Sequence, residues 1–223
     1  MKNRIWLCLG LMVAAPGAAL AQDKVTISIA GVELEAPMPA GYCLPTGKHK
    51  AVAELVAAAD TENVTLATLF RCDLMAGDRP PGNDYYLIKT PRKALVLKIS
   101  RAQLIEELGK EFGKAEWREG GEKIADLPGR VSESVSGTFN TPVEMTGSFA
   151  PRGTDADCIY MGGEVQVSMA GLSYPIQAGA CMTATADKML AVYAYDDPET
   201  DGIVGLMRKS QALAIAFEPV AVP

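Results

Sequence analysis

The residue types able to do chemistry are few in this chain, and their spacing restricts them further. His49 is the only histidine, so a Ser-His-Asp or Cys-His relay would have to run through it. It lies between Lys48 and Lys50 at the start of an Ala-rich run and reads as a solvated helix-start residue. No Gly-x-Ser-x-Gly elbow, phosphate loop or dinucleotide fingerprint occurs. Carboxylates are the remaining catalytic type. Glu106 with Glu107, and Glu116 with Glu119 and Glu122, are candidate pairs for acid–base hydrolysis, and Glu133 stands alone. In an acidic protein such groups read first as charged, solvated faces.

Metal chemistry has equally thin support. Asp155 and Asp157, and the run from Asp196 to Asp201, offer oxygen ligands for calcium, but neither has the spacing of a calcium-binding loop. Met161, Met169, Met182 and Met189 offer thioethers for Cu(I), yet no Met-x-x-Met or His-Met cluster occurs, and core packing is the expected role. The reading is no cofactor and no metal.

The five cysteines carry more information. The chain opens with Lys2 and Arg4, then an apolar run from Ile5 to Ala15, then Pro16-Gly17 and small residues at Ala19 and Ala21. This three-part order reads as a secretory signal over residues 1–21, cleaved after Ala21. The apolar run is too short to span a bilayer, which takes about 20 residues. Cys8 leaves with the signal. Losing Lys2 and Arg4 moves the formal charge from −6 to −8. That acidity argues against nucleic acid or anionic lipid as a partner held by bulk charge. The expected location is the periplasm, with no membrane insertion after cleavage.

In an exported chain Cys43, Cys72, Cys158 and Cys181 read as two disulfides, because Cys-x-x-Cys and zinc spacings are absent. Four cysteines allow three pairings. A hairpin of 158–168 with 172–184, closed at Ser168-Met169-Ala170-Gly171, would place Val167 opposite Leu172 and Cys158 opposite Cys181, within bridging distance. Pro175 cautions that a bulge would shift this register. Cys43 and Cys72 are then left to each other. Each bridge is worth about 3–4 kcal/mol in the chain-entropy model.

The elements that must position these residues follow from pattern. Val25 to Ile29 and Val32 to Ala36 alternate apolar and polar residues around Ala30-Gly31, predicting a hairpin. Lys48 to Ala59 predicts a helix, and Val64 to Arg71 a strand. Met75 to Asp84, with two prolines and two glycines, reads as a loop; Tyr85 to Ile88 resumes strand character. Ser100 and Gln103 form a capping box ahead of a helix carrying Leu104, Ile105, Leu108 and Phe112 on one face. In 114–135, Gly120-Gly121 and Pro128-Gly129 argue against one long helix. Strands near 143–150, 158–168, 172–184 and 189–195 predict an antiparallel meander. Asp197 is the expected cap of a final helix that Pro219 ends. Sheet and helices make one α+β domain over 22–223, sandwich-like, with a leading β-hairpin and a closing helix.

Gly179 to Thr185, Lys188 to Tyr195 and the helix from Asp197 to Phe217 resemble the last hairpin and closing helix of the PsbP-like fold, an α-β-α sandwich. The resemblance implies a binding or assembly-accessory protein rather than an enzyme, and it carries over no catalytic residues. Candidate contact surfaces are Tyr85 and Tyr86 behind the loop from Asp78 to Asp84, and Trp117 among the charges of Glu116 to Gly121. The functional expectation is a soluble, non-catalytic periplasmic binding or envelope-accessory protein, with an unknown protein partner or small ligand. The competing reading is a small envelope hydrolase using the paired carboxylates.

Overall fold

The computed structural model describes residues 24–77, 79–198 and 200–221. The predicted signal segment, 1–21, lies outside them. The order is β1 (Lys24–Ile29), β2 (Val32–Pro37), β3 (Tyr42–Cys43), α1 (Gly47–Ala59), β4 (Asn63–Arg71), α2 (Cys72–Ala76), β5 (Tyr85–Pro91), α3 (Arg101–Phe112), α4 (Glu122–Phe139), β6 (Val143–Thr154), β7 (Ile159–Met169), β8 (Leu172–Thr185), β9 (Lys188–Asp196), α5 (Gly202–Ile215) and β10 (Glu218–Pro219). The main sheet runs β3-β4-β5-β9-β8-β7-β6, and a small sheet runs β1-β2-β10. Every neighbouring pair is antiparallel. The protein is α+β.

One face of the main sheet is sealed. The alternating residues Val25, Ile27 and Ile29 of β1 and Leu34 and Ala36 of β2 point into it. They meet Leu69, Tyr86, Ile88, Leu190 and Val192 of the main sheet and Leu206, Leu213 and Phe217 of the C-terminal segment. Burying each large side chain contributes about 1.5–3 kcal/mol. Helix α5 sits close because glycines lie beneath it: a Cβ on Gly179 would meet Met207 N at 2.4 Å, and one on Gly162 would meet Ile203 at 2.5 Å.

The opposite face carries two smaller apolar patches. One, with Ile159, Met161, Ala180, Met182 and Ala191, takes Leu104 of α3 and the flanking Ile105 and Leu108. The other, Val143, Val167 and Ile176, takes Val135 of α4. Helix α4 also closes the sheet edge. Ser132 and Ser136, one turn apart, accept the N–H groups of Met145 and Val143 at 2.8 Å each, doing for β6 what a further strand would do.

The structure revises four expectations. The β7–β8 turn is the two-residue pair Ala170-Gly171, both at positive φ (52° and 81°), so Met169 faces Leu172 and Tyr160 faces Cys181. The shorter turn brings Ser168 and Met169 into the ladder, and two residues at positive φ match the twist of such a hairpin. The Cys158–Cys181 bridge still forms, diagonally from just before β7, with Cα atoms 5.3 Å apart. Second, Gly120-Gly121 ends before α4, and Pro128 lies inside that helix. The Pro128 carbonyl accepts the Ser132 hydroxyl at 2.7 Å. Third, Asp197 does not cap α5; it closes a turn with Thr200, and the helix starts after Asp201. Fourth, His49 is buried, at 4% exposure, rather than solvated.

Candidate functional site

Period-two alternation splits Tyr85 from Tyr86. Tyr86 points into the sealed face and is 5% exposed, with its ring edge-on to Tyr42 at 4.8 Å. It is therefore not a contact surface, correcting the expectation for that residue. Tyr85 points to the opposite face and is half-buried.

On that opposite face the register aligns Phe70, Tyr85, Tyr195, Ala178, Gly163 and Phe149 across β4, β5, β9, β8, β7 and β6. Tyr193 is two places from Tyr195 on β9 and shares its face. The result is an aromatic floor. Tyr85 and Tyr195 stack at 4.5 Å with planes 12° apart, Tyr195 and Tyr193 at 6.3 Å, and Tyr193 and Phe149 at 6.0 Å. Phe70 meets Tyr85 edge-on at 6.1 Å. Gly163 lets β6 close on β7 beside Phe149, since a Cβ there would meet Ser148 O at 1.8 Å.

The row lies where the two apolar patches meet, Tyr193 against the one under α3 and Tyr195 against the one under α4. Tyr85, Tyr193 and Tyr195 are all half-buried. Among the described residues nothing hydrogen-bonds their hydroxyls, and none of the three is sealed from solvent. Burial raises all three phenol pKa values, that of Tyr193 to about 12. They stay neutral and able to donate at any physiological pH.

One half-buried ion pair borders the floor. Lys89 Nζ lies 5.3 Å over the Tyr193 ring and 2.6 Å from Asp60, with side chains 12% and 18% exposed. Burial opposes ionisation of Asp60, but Lys89 and the Asn63 backbone and side-chain N–H groups outweigh it and hold the carboxyl below its usual range.

Trp117 lies apart from this floor in sequence and contacts, on the turn joining α3 to α4. It is half-buried, with Phe112 edge-on at 4.8 Å and Lys123 over its ring at 4.8 Å. Its indole N–H donates to Glu111 at 3.1 Å. Lys114 first, then Trp117, holds the Glu111 carboxyl down to about 2. These contacts fix the connector.

The candidate carboxylates do not converge. Glu106 and Glu107 are exposed on α3 and share Lys110. Glu116 pairs with Lys123 at 2.7 Å, Glu119 with Arg152 at 3.8 Å, and Glu122 and Glu133 are exposed on α4. Asp155 is used internally, accepting from Asp157 N, Cys158 N, the Tyr160 hydroxyl and Gln211. Lys209 sits between Asp196 and Asp201. Among the described residues no cluster of metal-ligating side chains forms.

The two bridges differ in setting. Cys158 and Cys181 are fully buried. Cys43 and Cys72 are half-buried and tie β3 to α2, with Cα atoms 5.2 Å apart. Beside them, the Tyr42 hydroxyl donates to Asp84, and Arg71 reaches the same carboxylate at 3.2 Å.

Tyr193, Tyr195, Phe149 and Lys89 were not singled out from sequence. The i, i+2 spacing of Tyr193 and Tyr195 on a strand was a usable signal, since it puts both rings on one face. Their meeting with Tyr85 depends on β5 lying beside β9 across a long connection, which spacing does not encode.

No protein-family model matches the chain, and no curated protein matches it. Among solved structures it is similar to the solution structure of cyanobacterial PsbP (CyanoP) from Synechocystis sp. PCC 6803. The two share 12% identity at a TM-score of 0.42, over 95% of this chain and 100% of that one. The likeness is a weak one of fold and assigns no residue a role.

Proposed function

We propose that this chain is an exported, non-catalytic binding or accessory protein of the bacterial envelope, and that the floor formed by Tyr85, Tyr193 and Tyr195 is its contact surface. The observation that carries this reading is the stack itself: three half-buried rings on one sheet face whose hydroxyls find no partner among the described residues. A folded core has little use for phenols whose hydroxyls find no partner. At a contact surface the same groups supply flat apolar area and hydrogen-bond donors together.

Two disulfides support export, because such bridges persist in oxidising compartments. No helix among the described residues is long and apolar enough to cross a membrane. The ion-paired, dispersed glutamates favour binding over the hydrolase reading.

Export is tested by recovering the protein from the periplasmic fraction and sequencing its N-terminus. A start at Gln22 fits the proposal; an intact Met1 contradicts it. The contact surface is tested by cross-linking in intact cells with the native chain and with Tyr193→Leu/Tyr195→Leu. Loss of a cross-linked species in the variant supports the surface.

A further inference from the structure

The turn from Leu95 to Lys98 inverts the usual placement of residue types. Val96 is 81% exposed and Leu97 52% exposed, while Lys188 beneath them is 6% exposed. Lys188 Nζ donates to the carbonyls of Leu95 and Leu97 at 3.2 and 3.5 Å. Burying an ammonium costs free energy and burying aliphatic carbon gains it, so folding alone favours the reverse arrangement.

The tip is also fixed in place. Leu97 N donates to Ala94 O, and Ile99 N to Asp187 O, at 3.1 Å each. Ala94 is buried, while Leu95 and Ile99 pack against the core clusters on either side of the sheet. These anchors leave Val96 and Leu97 as the parts of the turn offered to solvent.

Charge around the tip departs from that of the chain. Arg92, Lys93 and Lys98 are exposed beside the two aliphatic residues. Among the described residues none of the three has an acidic partner; Arg92 donates to the Thr61 carbonyl. Arg101, by contrast, is taken up by Asp157 at 2.7 Å. Asp187 is exposed on the turn that holds Ile99, and the three cations still leave the spot net positive on a chain that carries −6.

We infer that Val96 and Leu97, ringed by Arg92, Lys93 and Lys98, form a docking tip for an anionic lipid surface. The aliphatic side chains enter the interfacial region while the cations meet lipid phosphates. An acidic protein surface would suit the cations too, but it would have to offer a socket for a narrow, rigid aliphatic tip. A lipid interface accepts such a tip without a preformed site. Bulk charge opposes approach, and the local spot offsets it only at short range. Docking is therefore weak and reversible, of the order of a single acyl anchor or below.

The test uses the mature chain, residues 22–223, with sedimentable vesicles of phosphatidylcholine, and of phosphatidylcholine mixed with phosphatidylglycerol. The native chain is expected to co-sediment with the mixed vesicles only, and less as salt rises. Val96→Asp/Leu97→Asp is expected to lower partitioning by about tenfold or more. Lys93→Gln/Lys98→Gln is expected to lower it about fivefold per lysine. All four side chains are exposed, and unchanged unfolding curves will show that the variants fold. Equal partitioning of native chain and variants, or equal binding to both vesicle types, overturns the inference. So does a native chain that ignores the mixed vesicles, which would leave an acidic protein as the occupant. The tyrosine surface uses different residues, so either proposal can fail alone.

Discussion

The two faces of the main sheet are built from similar strands and covered differently. On one face, α5 and the small sheet press down over Leu34, Leu69, Ile88, Leu206 and Phe217 until each is within 2% of full burial. On the other, α3 and α4 each cover a patch, and where the patches meet lie tyrosines rather than aliphatic residues. Glycines set the closeness of the first face, since Gly162 and Gly179 have no Cβ to hold α5 away. Aromatic bulk and a bordering ion pair set the character of the second. The first face should therefore govern stability, and the second should govern contact with other molecules.

That division can be broken most forcefully from the sealed side. Phe217→Ala should cost about 3–5 kcal/mol in denaturant unfolding, because a fully buried ring leaves a cavity. A loss below about 1 kcal/mol would mean that the C-terminal segment is not part of the core. Removing the buried bridge with Cys158→Ala/Cys181→Ala should cost about 3 kcal/mol in the same assay. Tyr193→Leu/Tyr195→Leu should cost less than either, about 1–2 kcal/mol. A larger loss would turn the tyrosine floor into core.

The ion pair gives a pH signature. The folded state holds Asp60 below its usual carboxylate range, and an unfolded Asp titrates near 3.9. The stabilisation is thus complete above about pH 4 and disappears as pH falls through the lower folded value. Asp60→Asn should lose about 1–3 kcal/mol at neutral pH and show a shallower acid decline than the native chain in urea midpoints. Identical acid declines would mean that the Asp60–Lys89 pair does not stabilise the fold. Least of all, Glu106→Gln/Glu107→Gln should leave the urea midpoint indistinguishable from that of the native chain, as exposed charges do.

Local signals were legible in the sequence wherever the cause was local. The capping box at Ser100 and Gln103 forms as expected, with both of its hydrogen bonds. The first hairpin turns at Ala30-Gly31, and the meander from β6 to β9 lies within a few residues of its expected bounds. Both cysteine pairs agree with expectation although the hairpin register does not, since a diagonal bridge satisfies the same distance. What was hidden depends on partners far away in the chain. Pro128 inside α4 is tolerated because that helix is held by its docking on β6 through Ser132 and Ser136, a tertiary contact. His49 gave no sign of burial in a Lys-His-Lys setting. Tyr85 meets Tyr195 only because β5 and β9 are neighbours in space.

The tyrosine floor is proposed as the place where this protein meets its partner or ligand. The most direct measurement is cross-linking in intact cells, comparing the native chain, Tyr193→Leu/Tyr195→Leu, and Glu106→Gln/Glu107→Gln as a surface control. If the floor is the contact surface, the native chain and the control share a cross-linked species that the tyrosine variant loses, with all three chains equally abundant. The same species recovered from the tyrosine variant at native yield would contradict it.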